Sequence, residues 1–312
     1  MRVVFMGTPD FAVPTLAAIA ARSDLAEVVA VVTQPDRPRG RGKKLSPSPV
    51  KAWALAHDIP VMQPVRARDA DFLAQLRAFA PDLAVVVAFG QILSQEVLDV
   101  PVHGCINVHA SLLPKLRGAA PIQHAIMAGE RVTGITTMQM DAGLDTGDML
   151  LRHEVPIHAD TTYGSLHDAL METGASLLVE TLEQLAAGTL VRTPQTGESS
   201  YAARITRETT VMDWSKKAQE LDALVRGLNP VPYAQTSLDG AVYKIGALRS
   251  TGHAASVPSG TIVAADRKAG LIVATGDEDV EVTEIQAPGK KMMAANAFLN
   301  GCALTVGARF SS

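Results

Sequence analysis

Short apolar runs alternate with helical patterns in the first part of the chain. Runs rich in Val, Ile and Phe have the length of strands buried on both faces, and they occur at 2–6, 27–33, 83–89 and 103–108. Patterns of helical period lie between them, at 11–22, 48–57 and 68–79. This alternation predicts an α/β fold with a doubly wound, mostly parallel Rossmann-like sheet.

Two further runs, 135–140 and 149–155, predict a hairpin-like pair of strands, and a long helix is predicted over 162–187, ending at Gly188. Ser48 and Pro49 suit the N-cap and the first position of the second helix.

The pattern changes after residue 189. Residues 190–208 contain Pro, Gly, Ser and Thr without periodicity, which is typical of a linker. An amphipathic helix follows near 215–227. Short Val/Ile runs then come between turn signals, at 241–248, 260–264, 270–275 and 280–286. We therefore predict a catalytic domain at 1–189, a linker at 190–208 and a small OB-like β-barrel at 209–312.

Composition narrows the class of protein. The 312 residues are 47% hydrophobic and 19% charged, which is enough to build two cores. Cys105 and Cys302 are far apart, so neither a disulfide framework nor a zinc site is expected, and a reducing compartment is favoured. We see no secretory signal and no apolar run of membrane-spanning length, and we expect a cytoplasmic protein without membrane attachment.

Three polar residues stand where predicted strands give way to loops. Asn107 and His109 are two positions apart, so their side chains lie on the same side of a strand end, and Asp145 follows in a Gly-flanked loop. An amide donor, a titratable ring and a carboxylate suit transfer of a group through a developing oxyanion. Asp145 could orient the ring or take a proton from an attacking amine through water. The alternative is a capped strand with a structural histidine and a turn aspartate.

The surrounding residues resemble the methionyl-tRNA formyltransferase family. The stretch NVHASLLPKLRGAAPIQ at 107–123 and MDAGLDTGDML at 140–150 are similar to its signatures. Further similarity runs almost from end to end, at 5–12, 39–45, 213–215, 226–230 and 287–291.

The resemblance implies a reaction and its participants. The co-substrate would be 10-formyltetrahydrofolate, and no metal would take part. The acceptor would be the α-amine of initiator methionyl-tRNA, and the enzyme would be a monomer. Asn107 and His109 would face the formyl oxygen, and Asp145 would help to remove the amine proton. By the same analogy Ser111, Leu112, Leu113 and Pro114 line the folate site, with a cis bond at Leu113–Pro114.

Cationic residues are the candidates for tRNA contact. Five of the eight residues at 37–44 are Lys or Arg, and two glycines interrupt them. This run is either a solvated loop or an arm that orders on the acceptor end of the tRNA, where cations release counterions. The predicted tRNA contacts are Arg39, Arg41, Lys43 and Lys44 in this run and Arg204, Arg207, Lys290 and Lys291 in the second domain. The net charge of −4 gives no indication of such contacts.

Other functions stay open or are disfavoured at this point. A related enzyme could formylate a small amine or hydrolyse the formyl donor, although neither would need the basic run and the second domain. A non-catalytic RNA-binding module would leave Asn107, His109 and Asp145 unexplained. A serine hydrolase lacks its Gly-x-Ser-x-Gly motif, and the turn at 7–10 lacks the Gly-x-Gly-x-x-Gly of a dinucleotide site.

Overall fold

A computed structural model describes residues 1–39, 44–302 and 304–311 of the chain. The chain divides into two compact units. The first comprises Met1–Pro121, Val132–Pro156 and His167–Ala202, and the second comprises Ile122–Arg131, Ile157–Leu166 and Ala203–Ser312.

The elements follow in chain order. The strands are β1 (Arg2–Gly7), β2 (Glu27–Val32), β3 (Arg37–Arg39), β4 (Lys44–Ser46), β5 (Val61–Met62), β6 (Leu83–Val87), β7 (Cys105–His109), β8 (Arg117–Gly118), β9 (Val132–Gln139), β10 (Met149–Pro156), β11 (Tyr201–Ala202), β12 (Ala234–Leu238), β13 (Ala241–Ala254), β14 (Ile262–Asp266), β15 (Gly270–Ala274), β16 (Glu278–Gln286) and β17 (Met293–Ala294). The helices are α1 (Val13–Ala20), α2 (Pro49–Ala56), α3 (Ala70–Ala78), α4 (Gln95–Leu98), α5 (Pro121–Met127), α6 (Tyr163–Ala186), α7 (Ala218–Leu228) and α8 (Ala295–Leu299).

A seven-stranded sheet in the order β10-β9-β7-β6-β1-β2-β5 forms the centre of the first unit. β5, β2, β1, β6 and β7 are parallel, whereas β9 pairs antiparallel with β7 and β10 antiparallel with β9. β6 is buried at every position because helices cover the faces of a parallel sheet. The prediction of a mostly parallel, doubly wound sheet is therefore confirmed.

Helix boundaries follow the local signals in the sequence. Ser48 caps α2, since its Oγ accepts a hydrogen bond from Lys51 N at 3.0 Å, and Pro49 is the first helical residue. α6 runs from Tyr163 to Ala186, one residue inside each predicted end, and Gly188 takes the left-handed conformation (φ +68°) beyond it.

The segment predicted as a linker contributes to the first unit. β11 pairs parallel with β8, joining Tyr201 to Arg117 and Ala202 to Gly118. The first unit therefore extends to Ala202. The limits of 1–189, 190–208 and 209–312 stay a prediction.

The second unit contains an antiparallel sheet in the order β12-β13-β16-β15-β14, with β17 on β16. The C-terminal residues bond to strands at both ends of this order. Ser311 exchanges backbone hydrogen bonds with Ser237 of β12, and Ile262 of β14 donates to Ala308 O at 2.8 Å. The last residues thus cover two otherwise open sheet edges. The assignment to the oligonucleotide-binding class of barrels stays a prediction.

Among the residues that the structure describes, no helix has the length and apolar character needed to cross a membrane.

Candidate active site

The three candidate residues for catalysis lie together at one end of β7. His109 is the last residue of this strand, and Asp145 lies in the loop between β9 and β10. The Asn107 Nδ2 atom is 3.5 Å from Asp145 Oδ1, and the His109 Nδ1 atom is 3.7 Å from Asp145 Oδ2. The side chains of His109 and Asp145 are only 6% and 13% exposed. The site therefore combines an amide, an imidazole and a carboxylate with little access of water.

The loop holds Asp145 in an uncommon backbone conformation. Its φ is +53°, which costs energy for a residue with a side chain. Gly118 N donates to Asp145 Oδ2 at 2.8 Å, so one carboxylate oxygen is fixed by the backbone of β8. Gly118 itself has φ +107°, and a Cβ there would lie 2.8 Å from the Ala202 carbonyl oxygen. This position therefore strongly favours glycine.

A backbone carbonyl fixes the hydrogen on the imidazole ring. His109 Nε2 is 3.0 Å from the Leu116 carbonyl oxygen. Because a carbonyl oxygen only accepts, Nε2 carries the hydrogen, and in a neutral ring Nδ1 is the nitrogen that can take a proton. Nδ1 is also the nitrogen that faces Asp145. The ring is thus arranged to receive a proton beside a carboxylate that stabilises the resulting cation.

The segment predicted to bind folate forms a tight loop after β7. The Ser111 hydroxyl donates to the Lys115 carbonyl at 2.6 Å, and Thr136 Oγ1 donates to Ser111 O and accepts from Leu113 N. Ser111 and Leu113 are buried, whereas Leu112 and Pro114 are partly exposed. The Leu113–Pro114 bond is cis, as expected. Buried Ser111 and Leu113 therefore shape the loop, and Leu112 and Pro114 offer its more accessible surface.

Three residues at the site were not predicted from the sequence. Thr136 lies on β9 and bonds to the loop after β7, Ser200 Oγ accepts from Leu116 N at 2.9 Å, and Gln195 Nε2 donates to Asp145 O. Thr136 looked like an ordinary strand residue. Gln195 and Ser200 lie in a stretch without periodicity, so only the fold could place them here.

The basic run at 37–44 is described only in part. The Arg41 and Lys43 positions lie outside the described residues, and Arg39 and Lys44 pair as backbone between β3 and β4. Just before β3, Asp36 Oδ2 pairs with Lys51 Nζ at 2.7 Å, and Gln63 donates to Asp36 Oδ1 at 2.8 Å. The bond from Lys51 holds the pKa of the Asp36 carboxyl below its usual value. The start of the basic run is therefore anchored to the sheet unit.

The cations predicted in the second unit are all exposed: Arg204, Arg207, Lys290 and Lys291. Within the described part of the chain, no three His, Cys, Asp or Glu side chains are grouped in a way that could hold a metal ion.

Sequence comparisons find relatives along nearly the whole chain. Residues 1–182 match the formyl transferase family, and residues 204–303 match the formyl transferase C-terminal domain. The methionyl-tRNA formyltransferase of Geobacter metallireducens is 49% identical over 99% of this chain and 98% of its own length.

Solved structures of low sequence identity share the fold. A sugar 3N-formyl transferase, WlaRD, solved with dTDP and 5-N-formyl-THF, has a TM-score of 0.64 and 18% identity, over 93% of this chain and 99% of WlaRD. HypX from Aquifex aeolicus, in complex with tetrahydrofolic acid, has a TM-score of 0.63 and 17% identity over 96% of this chain. The present chain spans about half of HypX, covering 47% of it. At these identities the likeness concerns the fold alone.

Proposed function

The chain belongs to the methionyl-tRNA formyltransferase family, and from this premise we propose that it transfers a formyl group from 10-formyltetrahydrofolate to the α-amine of methionyl initiator tRNA. The observation that carries the proposal is the meeting of Asn107, His109 and Asp145 at the end of β7. The sequence identity of 49% over nearly the full chain supports the tRNA as acceptor.

The chemistry requires a neutral amine and a polarised formyl group. The amine nitrogen attacks the formyl carbon and forms the new C–N bond, and the bond from that carbon to the folate nitrogen breaks. Asn107 has two amide hydrogens, and one of them faces Asp145. We assign the other to the formyl oxygen, on which negative charge grows. Such a donor typically lowers the barrier by about 2.7–4 kcal/mol.

The proton lost by the amine needs an acceptor near the reacting atoms. His109 Nδ1 serves this purpose, since Nε2 already donates to Leu116 O. The nearby Asp145 carboxylate stabilises the protonated ring, and the proton then passes to the folate nitrogen that leaves. Before this transfer the positive charge of the protonated ring also stabilises the negative charge on the formyl oxygen, while Nδ1–H faces Asp145.

The residues around the site fit a folate as the formyl donor. The Asn107 amide and the enclosed His109–Asp145 pair offer hydrogen bonds to polar groups, and Leu112 and Pro114 offer partly exposed apolar surface. When bound there, the folate supplies the formyl carbon in an activated amide. We assign its binding to the 111–114 loop.

The tRNA contacts are proposed to be the basic run and the exposed cations of the second unit. Arg39, Arg41, Lys43 and Lys44 would meet the acceptor end, and Arg204, Arg207, Lys290 and Lys291 would meet backbone phosphates. We further propose that the enzyme works as a monomer in the cytoplasm, where aminoacylated tRNA is used, and light scattering tests the monomer.

A transfer assay tests the function directly. Purified protein is incubated with radiolabelled 10-formyltetrahydrofolate and with initiator methionyl-tRNA, elongator methionyl-tRNA or a small amino sugar. Label should pass to the initiator tRNA much faster than to the other two acceptors. Preferred transfer to the small amine, or hydrolysis of the donor without an acceptor, would replace this proposal by the corresponding alternative.

A further inference from the structure

Gln195, which is not among the predicted site residues, bonds both to β8 and to the loop that carries Asp145. Gln195 Nε2 donates to the carbonyl oxygens of Asp145 and Gly147, each at 2.8 Å. Its Oε1 accepts from Arg117, at 3.1 Å from Nε and 2.7 Å from Nη2. All four contacts lie within the first unit. One side chain thus links β8 to the loop between β9 and β10.

The chemistry of these partners fixes the orientation of the amide. Carbonyl oxygens only accept and a guanidinium only donates, so Nε2 must face the loop and Oε1 must face Arg117. With the amide reversed, its oxygen would meet two carbonyl oxygens and its NH₂ would meet N–H donors. Gln195 therefore satisfies both partners only in the observed arrangement, which makes the link rigid.

One residue of the loop, Asp145, has an uncommon backbone conformation. Gly147 lies so close to the Gln139 carbonyl oxygen that no side chain fits there, and Asp145 has φ +53°, which a residue with a side chain adopts uncommonly. Such conformations persist only where the surroundings determine them. The two bonds from Gln195 attach to this part of the loop, at the carbonyls of Asp145 and Gly147.

We propose that Gln195 is a positioning residue for the formyl-transfer reaction, which holds the Asp145 loop so that the carboxylate stays beside His109 Nδ1. This inference rests on the proposed function. Gln195 acts through Asp145 and touches no reacting atom. Its loss should lower the rate of the chemical step and leave the binding of both substrates unchanged.

The first test measures separately how substitutions of Gln195 change kcat and KM. Gln195→Ala removes two hydrogen bonds to the loop, which corresponds to about a ten- to hundredfold fall in kcat, with the KM values for tRNA and folate changed less than about twofold. Gln195→Glu keeps the size and the bond to Arg117 but replaces the two donors by a carboxylate oxygen, so kcat should fall as well. Gln184→Ala, on α6 with its amide bonded to Glu180, is the matched control and should keep the parent kcat.

The second test is a double-mutant cycle with Asp145. Single-turnover rates are measured for the parent, Gln195→Ala, Asp145→Asn and the double variant. If Gln195 acts through the Asp145 carboxylate, its removal costs less than about twofold in the Asp145→Asn background. If circular dichroism shows that Gln195→Ala is unfolded, Gln195→Glu takes its place in both tests.

Three results overturn the inference: a parent-like kcat in Gln195→Ala, full activity in Gln195→Glu, or an equal loss in the Asp145→Asn background. In each of these cases the parent enzyme still formylates methionyl-tRNA. Failure of the proposed function is a different result, in which the parent protein itself transfers no label to that tRNA.

Discussion

At the scale of single residues, one backbone carbonyl decides which nitrogen of His109 is chemically available. Leu116 has φ +57° and presents its carbonyl oxygen to Nε2, while Ser200 Oγ accepts from the Leu116 amide. The hydrogen is therefore held on the side of the ring away from Asp145. The imidazole can receive a proton where the carboxylate stabilises it, which is the arrangement that an amine nucleophile requires.

Replacing His109 by Ala should abolish most turnover. The variant loses the proton acceptor, which contributes about 10²- to 10⁴-fold in comparable reactions, and it keeps the Asn107 donor and all the predicted tRNA contacts. We expect kcat to fall by that amount while the Kd for tRNA, measured by filter binding, stays the same.

His103→Ala is the control for this variant, since His103 is exposed just before β7 and is not part of the site. Normal turnover in His109→Ala would remove the ring from the mechanism. A matching loss of tRNA affinity would instead assign it to binding.

At the scale of elements, α7 depends on a carboxylate outside the helix. Asp277, in the turn between β15 and β16, accepts from Ala218 N at 2.9 Å, and Glu220 Oε2 accepts from Lys217 N at 3.1 Å. These bonds satisfy two N–H groups near the start of a helix, where the helix itself offers no acceptors and where negative charge is favourable. The bond from Ala218 is the main cause that lowers the pKa of Asp277 below its ordinary value.

Acid should therefore weaken the second unit in part through Asp277. Because the Asp277 carboxyl has a lower pKa in the folded state than in the unfolded state, its charge stabilises the fold at pH values above the unfolded-state pKa. This contribution is lost as the pH falls through the folded-state pKa. We expect Asp277→Asn to be less stable than the parent at pH 7 and to approach the parent stability below about pH 4. Urea unfolding at several pH values measures the difference.

Asp239→Asn provides the control, because Asp239 lies in the exposed turn between β12 and β13 and its positive φ (+49°) is one that Asn tolerates. It removes one carboxylate from an exposed turn, so it shows at each pH how the loss of a surface charge alone changes stability. A pH-independent difference for Asp277→Asn would mean that its charge does not stabilise α7.

The elements also explain what the sequence could predict. β6 is a continuous apolar run and β1 is nearly so, and their positions followed from this pattern. The alternation of such runs with helical segments predicted the parallel sheet. β12 was missed because its sequence, AQTSL, carries polar residues, and the closing contacts of Ser311 with Ser237 have no local signal. Residue type near the ends of predicted strands was enough to predict that Asn107, His109 and Asp145 would lie close together, and their catalytic roles stay a prediction. Gln195 was not predictable, since a polar residue in an aperiodic stretch gains a role only from the tertiary fold.

At the scale of the whole molecule, a cluster of positive charges contrasts with the negative net charge of the chain. The chain carries −4 overall, yet five cations lie within eight residues at 37–44. The run begins directly after Asp36, which Lys51 and Gln63 hold at the sheet unit. A local cationic segment on an anionic protein attracts phosphate where it is needed and limits nonspecific binding of nucleic acid elsewhere.

Neutralising Arg41 and Lys43 together should weaken tRNA binding in a salt-dependent way. If each cation meets a phosphate, fewer counterions are released, and the slope of log K against log salt becomes shallower by about 1.4–1.8 for the pair. Binding of tRNA is measured by fluorescence anisotropy across a salt series. The control variant is Arg267→Ala/Lys268→Ala, which removes two exposed cations from the turn between β14 and β15. The control should keep the parent slope.

The kcat of Arg41→Ala/Lys43→Ala at saturating tRNA should be retained, since the formyl-transfer residues are untouched. An unchanged salt slope in this variant would show that the run is an ordinary solvated turn.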